Sequence, residues 1–113
     1  MPATDAVLVA PIDLATPAVA LLYTSPVNGK GSKIDKASVC NHNGATQTVT
    51  FHIVPAGGAA GVTNLRVNAK SIADKATDLL PELVGRYLKP GDMIYGGASA
   101  ANVNVDVTGR ELT

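Results

Sequence analysis

Thr46-Gln47-Thr48-Val49-Thr50-Phe51-His52-Ile53-Val54-Pro55 is the stretch that decides the fold. Val49, Phe51 and Ile53 fall on one side of an extended chain, and Thr48, Thr50 and His52 on the other. A period of two carried by β-branched and aromatic residues is the strand pattern, because successive side chains point to opposite faces. Asn43-Gly44 lies just upstream and Pro55-Ala56-Gly57-Gly58 closes the run, so both ends carry turn chemistry. The pattern predicts a central strand with His52 facing solvent.

Downstream, residues 56–61 read as a small-residue loop. Residues 64–72 resume the alternation, with Leu65, Val67 and Ala69 on one face and Arg66, Asn68 and Lys70 on the other. Helical spacing occurs only over residues 74–88. Pro81 and Gly85 interrupt it and leave room for one short turn over residues 81–86. Lys89-Pro90-Gly91-Asp92 is a turn whose aspartate is expected to bond backbone amides. Residues 93–98 form a short strand, and residues 102–108 alternate with Val103, Val105 and Val107 inward.

Upstream, residues 32–41 set Ile34 and Val39 five apart, which a regular strand places on opposite faces. A bulge near Asp35-Lys36 restores both to the core. Residues 18–24 read as a strand with Val19, Leu21 and Tyr23 on one face, and Asn28-Gly29 marks a hairpin turn after it. These segments predict an all-β fold, a small β-sandwich or jelly roll with one short helical turn.

Residues 18–113 make up that domain. Residues 1–17 differ, because Pro2, Pro11 and Pro17 remove backbone donors and bar a central strand. Val7, Leu8, Val9 and Ile12 are apolar all the same. An extended arm on a neighbouring molecule and an edge strand of the same domain both satisfy this. Val7, Leu8, Val9, Pro11 and Ile12 are the candidate interface residues.

The totals narrow the function classes. At 113 residues one domain is expected, burying roughly two thirds of its unfolded surface. Apolar content is 46%, but it is mostly Ala and Val with one Phe and no Trp, which predicts a core of small side chains. Nine basic and nine acidic residues cancel, so there is no basic excess of the kind that neutralises nucleic-acid phosphates, and no basic run suited to an anionic membrane. Cys40 is the sole cysteine, which excludes an intrachain disulfide and fits a reducing compartment. No basic segment precedes a long apolar run at the N-terminus, and residues 17–23 fall far short of the ~20 needed to span a bilayer.

No pattern in the chain specifies catalysis. Gly29-Lys30-Gly31-Ser32 fails as a phosphate loop, because Thr24 and Gly31 stand where that motif needs glycine and a hydroxyl residue. Cys40, His42 and His52 give at most three zinc ligands on disagreeing faces, so no metal is expected. Cys40 is expected to pack like a small apolar residue with a slow-reacting thiol. The carboxylates are scattered, with no glycosidase pair. The expectation is a protein without catalytic residues or cofactor.

The C-terminal half adds a resemblance. Phe-His-Ile-Val-Pro-Ala-Gly-Gly at 51–58 is followed by Lys-Ser-Ile-Ala at 70–73 and Leu-Leu-Pro-Glu-Leu-Val-Gly at 79–85. Leu-Lys-Pro-Gly-Asp at 88–92 and Val-Thr-Gly-Arg-Glu-Leu at 107–112 complete the series. Together with Leu-Leu-Tyr-Thr-Ser-Pro and Val-Cys-Asn upstream, the chain over residues 18–113 resembles small structural proteins of tailed bacteriophages, the β-sandwich type that cements or decorates capsids. The resemblance implies no enzyme and no cofactor. It implies the major capsid protein and further copies of the chain as partners, and a place on the capsid surface after assembly in the host cytoplasm. A tail or fibre adaptor and a small carbohydrate-binding module are the rival readings, the latter short of the aromatics a sugar platform needs.

Overall fold

Among the described residues nine strands follow in chain order: β1 Ala3–Asp13, β2 Ala20–Thr24, β3 Ser32–Asn41, β4 Gln47–Val54, β5 Leu65–Ile72, β6 Thr77–Asp78, β7 Tyr87–Leu88, β8 Met93–Ala98 and β9 Val103–Leu112. The computed structural model describes residues 3–14, 16 and 18–112. Pro2 and Pro17, two of the three prolines in the N-terminal reading, lie outside these residues. The strands form two antiparallel sheets, β1-β9-β3 with β6 and β7 both on the far side of β3, and β2-β8-β4-β5. The sheets pack face to face as a sandwich, the all-β class that the alternation predicts.

β4 is internal to its sheet, between β8 and β5. Val49 and Phe51 are fully buried, and Ile53 packs against the core from a partly exposed position. Gly96 of β8 lies beneath the Phe51 ring, so close that a Cβ there would sit 2.6 Å from a ring carbon. On β9, Val103, Val105 and Val107 point inward as the alternation requires. Ile34 and Val39 are both fully buried. The bulge expected near Asp35-Lys36 reconciles them: Ile34 pairs with Gly109 while Lys36 pairs with Thr108.

β5 uses the same device where straight alternation was expected. Val49 pairs with Lys70 and Phe51 with Val67, so one extra residue is inserted on β5. Ala69 takes φ 48 there, is exposed rather than inward, and donates its N–H to Thr50 Oγ1 at 3.1 Å. The shift turns Val67 and Ile72 to the core together.

Two other expectations are corrected. Residues 25–31 form no hairpin: β2 pairs with β8 and β3 with β9, so this segment carries the chain from one sheet to the other. No helical turn spans residues 81–86. Leu80 at φ 44 and Gly85 at φ 87 are left-handed, which a helix excludes, and Gly85 N–H donates to Ile34 O at 2.7 Å. The short 3-10 turn lies instead at Val62–Asn64. The turn at Asp92 forms as expected, its carboxylate accepting from Lys89 N at 3.0 Å and Ala56 N at 3.1 Å.

Two polar pegs join the sheets. Buried Asn41, ending β3, donates from Nδ2 to Ile72 O of β5 at 2.8 Å and to Ala45 O at 2.9 Å, and accepts from Asn43 N at 2.9 Å. At the other end, Tyr23 OH donates to Glu111 Oε2 at 2.7 Å and lies 2.8 Å from Ser32 Oγ, which bonds Ser25 Oγ at 2.9 Å. Burial, with the Glu111 carboxylate adding to it, pushes the Tyr23 phenol up to about 12 despite the opposing bonds to serine.

Candidate functional site

A sandwich has two open flanks between its sheets, and here they differ. On the β5 side, residues 79–86 fold over the gap and bury Leu80 and Leu83 completely. Lys70 of β5 reaches across to Asp78 at 3.2 Å and Glu82 at 3.1 Å. Burial pulls the Lys70 amine down, but Glu82 and Asp78 together outweigh it and hold its pKa above the ordinary lysine range. That flank is shut.

The opposite flank runs between β1 and β2, each the edge strand of its sheet. Pro11 makes the edge the natural place for β1, since a strand there needs no partner for the missing donor. Residues 3–13 thus belong to the domain's own sheet, the edge-strand alternative of the sequence reading. The ladder with β9 slips between Val7 and Val9 and again between Val9 and Ile12. These slips turn Leu8 and Val9 inward to the core although they are adjacent in sequence, while Val7 is 63% exposed and Ile12 53%. Leu8 and Val9 therefore serve the core and offer little surface, while Val7, Pro11 and Ile12 remain on the surface.

β2 contributes Leu21, which the sequence reading placed on one face with Val19 and Tyr23. Its ladder with β8 slips between Leu21 and Tyr23, so Leu22 and Tyr23 pack against the core and Leu21 stands half exposed. Leu21, Leu22 and Tyr23 are consecutive large side chains that cannot all lie on one face of a strand, and alternation alone does not say which turns outward. Between the two edges lies a cleft of about 220 Å³ walled by Leu8, Val9, Pro11, Ile12, Leu21 and Leu22. No ionisable side chain lines it, so it is suited to taking apolar groups and not to acid–base chemistry.

A second depression lies on the outer face of the β1-β9-β3 sheet, where the β1 and β3 bulges flank Thr108 and Gly109. Asp5, Val7, Asp35 and Lys36 also line it. Arg110 holds Asp35 through two bonds, Nε at 3.0 Å and Nη2 at 3.1 Å. Those bonds, with the charge of Asp35 and a smaller contribution from Asp5, raise the guanidinium pKa further.

The residues weighed for metal or nucleophile chemistry stay apart. Cys40 is partly exposed, projecting from the outer face of its sheet between buried Val39 and Asn41, which corrects the expectation of a buried thiol. His42 is exposed. His52, expected to face solvent, is 9% exposed because the loop after β4 folds back over it. Asn64 fixes that loop, donating to Ala59 O at 2.9 Å and accepting from Gly61 N at 3.0 Å. Its Oδ1, 2.8 Å from His52 Nδ1, can only accept, so the proton of the ring sits on Nδ1. Among the described residues no group of three His, Cys, Asp or Glu side chains gathers in metal-binding proximity, and no helix is long and apolar enough to cross a membrane.

Comparison with protein-family models, with curated proteins and with solved structures finds no match.

Proposed function

We propose that this chain is a non-enzymatic structural protein of a tailed-bacteriophage virion, a cement or decoration protein that bridges major capsid subunits through the β1–β2 flank. One observation carries the reading. The flank beside β5 is closed by buried Leu80 and Leu83 and an ion-pair triad, with Leu79 and Val84 exposed on the outside of that cover, whereas the flank beside β1 is left open as an apolar cleft edged by half-exposed Ile12 and Leu21. A domain that shuts one side of its sandwich and leaves the other greasy has a surface suited to being covered by another molecule. The near-zero net charge supports the reading, since many copies can crowd one shell without mutual repulsion. Modest contacts repeated over such a lattice add up to tight attachment.

The test is binding of the purified full-length protein to expanded shells. Removing residues 1–13 is the wrong variant, because it takes Leu8 and Val9 out of the core and uncovers β9. The paired substitution Ile12→Lys with Leu21→Lys alters only half-exposed side chains. It is expected to leave the circular dichroism spectrum unchanged and to abolish shell binding. Undiminished binding by this folded variant refutes the assignment of the flank. Counting copies per particle by mass spectrometry separates the alternatives: on the order of hundreds fits a shell lattice, and a few dozen or fewer places the protein at the tail as an adaptor.

A further inference from the structure

The open flank combines a free strand edge with edge strands whose own charged side chains are all carboxylates, and the two together specify an occupant. From Thr4 to Val7, β1 pairs with β9 in unbroken antiparallel register, Thr4 with Glu111 through Val7 with Thr108. Among the described residues no strand pairs with the other side of β1. Backbone N–H and C=O groups pointing away from β9 therefore line the outer edge, open to a further strand. Such a strand lies about 4.8 Å beyond β1. Its inward side chains enter the cleft over Leu21 and Leu22. Pro11 has no N–H to offer, and the second slip of the ladder falls there, so the added ladder is interrupted at that point and the segment runs on past it to Asp13.

The rim is acidic. Residues 4–14 contain Asp5 and Asp13 but no lysine or arginine, and residues 18–24 carry no charge. Both aspartates are exposed, and neither is in an ion pair among the described residues. Arg110, opposite Asp5 in the ladder, gives its bonds to Asp35 and reaches Asp5 only through its charge. Along an extended strand the two carboxylates stand roughly 25 Å apart. A second copy of β1 suits this rim badly. Two-fold pairing centred on Val9 sets each Asp5 against the other copy's Asp13, and every other register still gathers four carboxylates and no cation on one ladder.

We infer that the flank accepts an extended segment of a different chain, which adds a strand to β1, buries alternate apolar side chains in the cleft, and carries lysine or arginine at each end beside Asp5 and Asp13. The inference rests on the docking role of this flank and gives its partner a chemistry.

Two labelled nine-residue peptides test it, both alternating valine and threonine, one ended by lysines and the other by glutamates. Fluorescence anisotropy with the full-length protein is expected to show the lysine-ended peptide binding about tenfold tighter at low salt, with the preference fading as salt rises. Asp13→Lys, a surface change, should erode that preference. Hydrogen exchange should slow at the amides of residues 4–9 on binding. Equal affinity for the two peptides, or no added protection in β1, overturns the inference. So does a dimer in sedimentation whose β1 amides are protected without peptide. If shells bind while the peptides show no charge preference, only the partner chemistry fails. If neither shells nor peptides bind, the docking role itself falls.

Discussion

Replacing Asn41 by alanine tests the peg that ties the end of β3 to the end of β5. The side chain makes three bonds: Nδ2 to Ile72 O, Nδ2 to Ala45 O, and Asn43 N to Oδ1. The bond to Ile72 O is buried, so its acceptor is left without water when the amide goes, a loss of about 1–2 kcal/mol. The other two are partly buried and partly rewetted, at about 0.5–1 kcal/mol each. The expected total is about 3 kcal/mol. For a chain of this size that lowers the urea midpoint by roughly 2.5 M and the melting temperature by roughly 12 °C. Asn41→Asp keeps the acceptor for Asn43 but sets carboxyl oxygens against two carbonyls. Burial raises that carboxyl's folded pKa above its unfolded value, so the variant is least impaired in acid and loses stability as pH rises from about 4. Urea titrations of both variants at several pH values measure this. A loss below about 1 kcal/mol for Asn41→Ala refutes the reasoning, since it means that the Ile72 carbonyl finds water once the amide is gone.

Gly96→Ala drives a methyl into the Phe51 ring and the Leu22 side chain, and should cost about 1–3 kcal/mol in denaturant titration, whereas Gly44→Ala meets no atom and is set only by its backbone angle. Cys40 should react with a thiol reagent in the native protein without denaturant, since its side chain is partly exposed on the outer sheet face; protection until unfolding would contradict the placement. Tyr23 has a folded pKa raised to about 12, so its contribution is fully present below pH 10 and is lost as pH rises through 12. Unfolding free energy measured across that window should fall more steeply for the native chain than for Tyr23→Phe.

Where the periodicity is local and strict, the fold is legible in the sequence. β4 and β9 follow directly from alternation, and the β3 bulge follows from Ile34 and Val39 standing five apart. Val67 and Ile72 have the same spacing, but Ala69 sits where straight alternation wants an inward apolar residue, and it masks the second bulge. The turn at residues 80–86 escapes for another reason. Its left-handed Leu80 is a residue that local propensity puts in a helix, and burial against the sandwich and the bond that Leu80 N–H donates to Asp78 Oδ1 hold it there. His52 shows the limit of face assignment. The strand sets the direction of its ring, but a loop folding back from residues 55–64 decides whether that direction is wet. Of the candidate site, Val7, Pro11 and Ile12 are readable as surface apolar residues among prolines. Leu21 is not, because its exposure depends on a register slip set by β8.

The ladder between β1 and β9 joins the first strand of the fold to the last, with Ala3 opposite Leu112. On the ribosome β1 therefore waits until β9 has been made, holding Leu8 and Val9 in water while the strands between them assemble. Loop closure of that span is paid before any of its contacts are gained, which places the docking of β1 late in the folding order. A molecule caught before that step presents the bare edge of β9 to whichever copy of β1 reaches it first. At high concentration the copy can come from a neighbour, and two chains then exchange their first strands, each completing the other's sandwich with the same contacts. Refolding yield should accordingly fall with protein concentration.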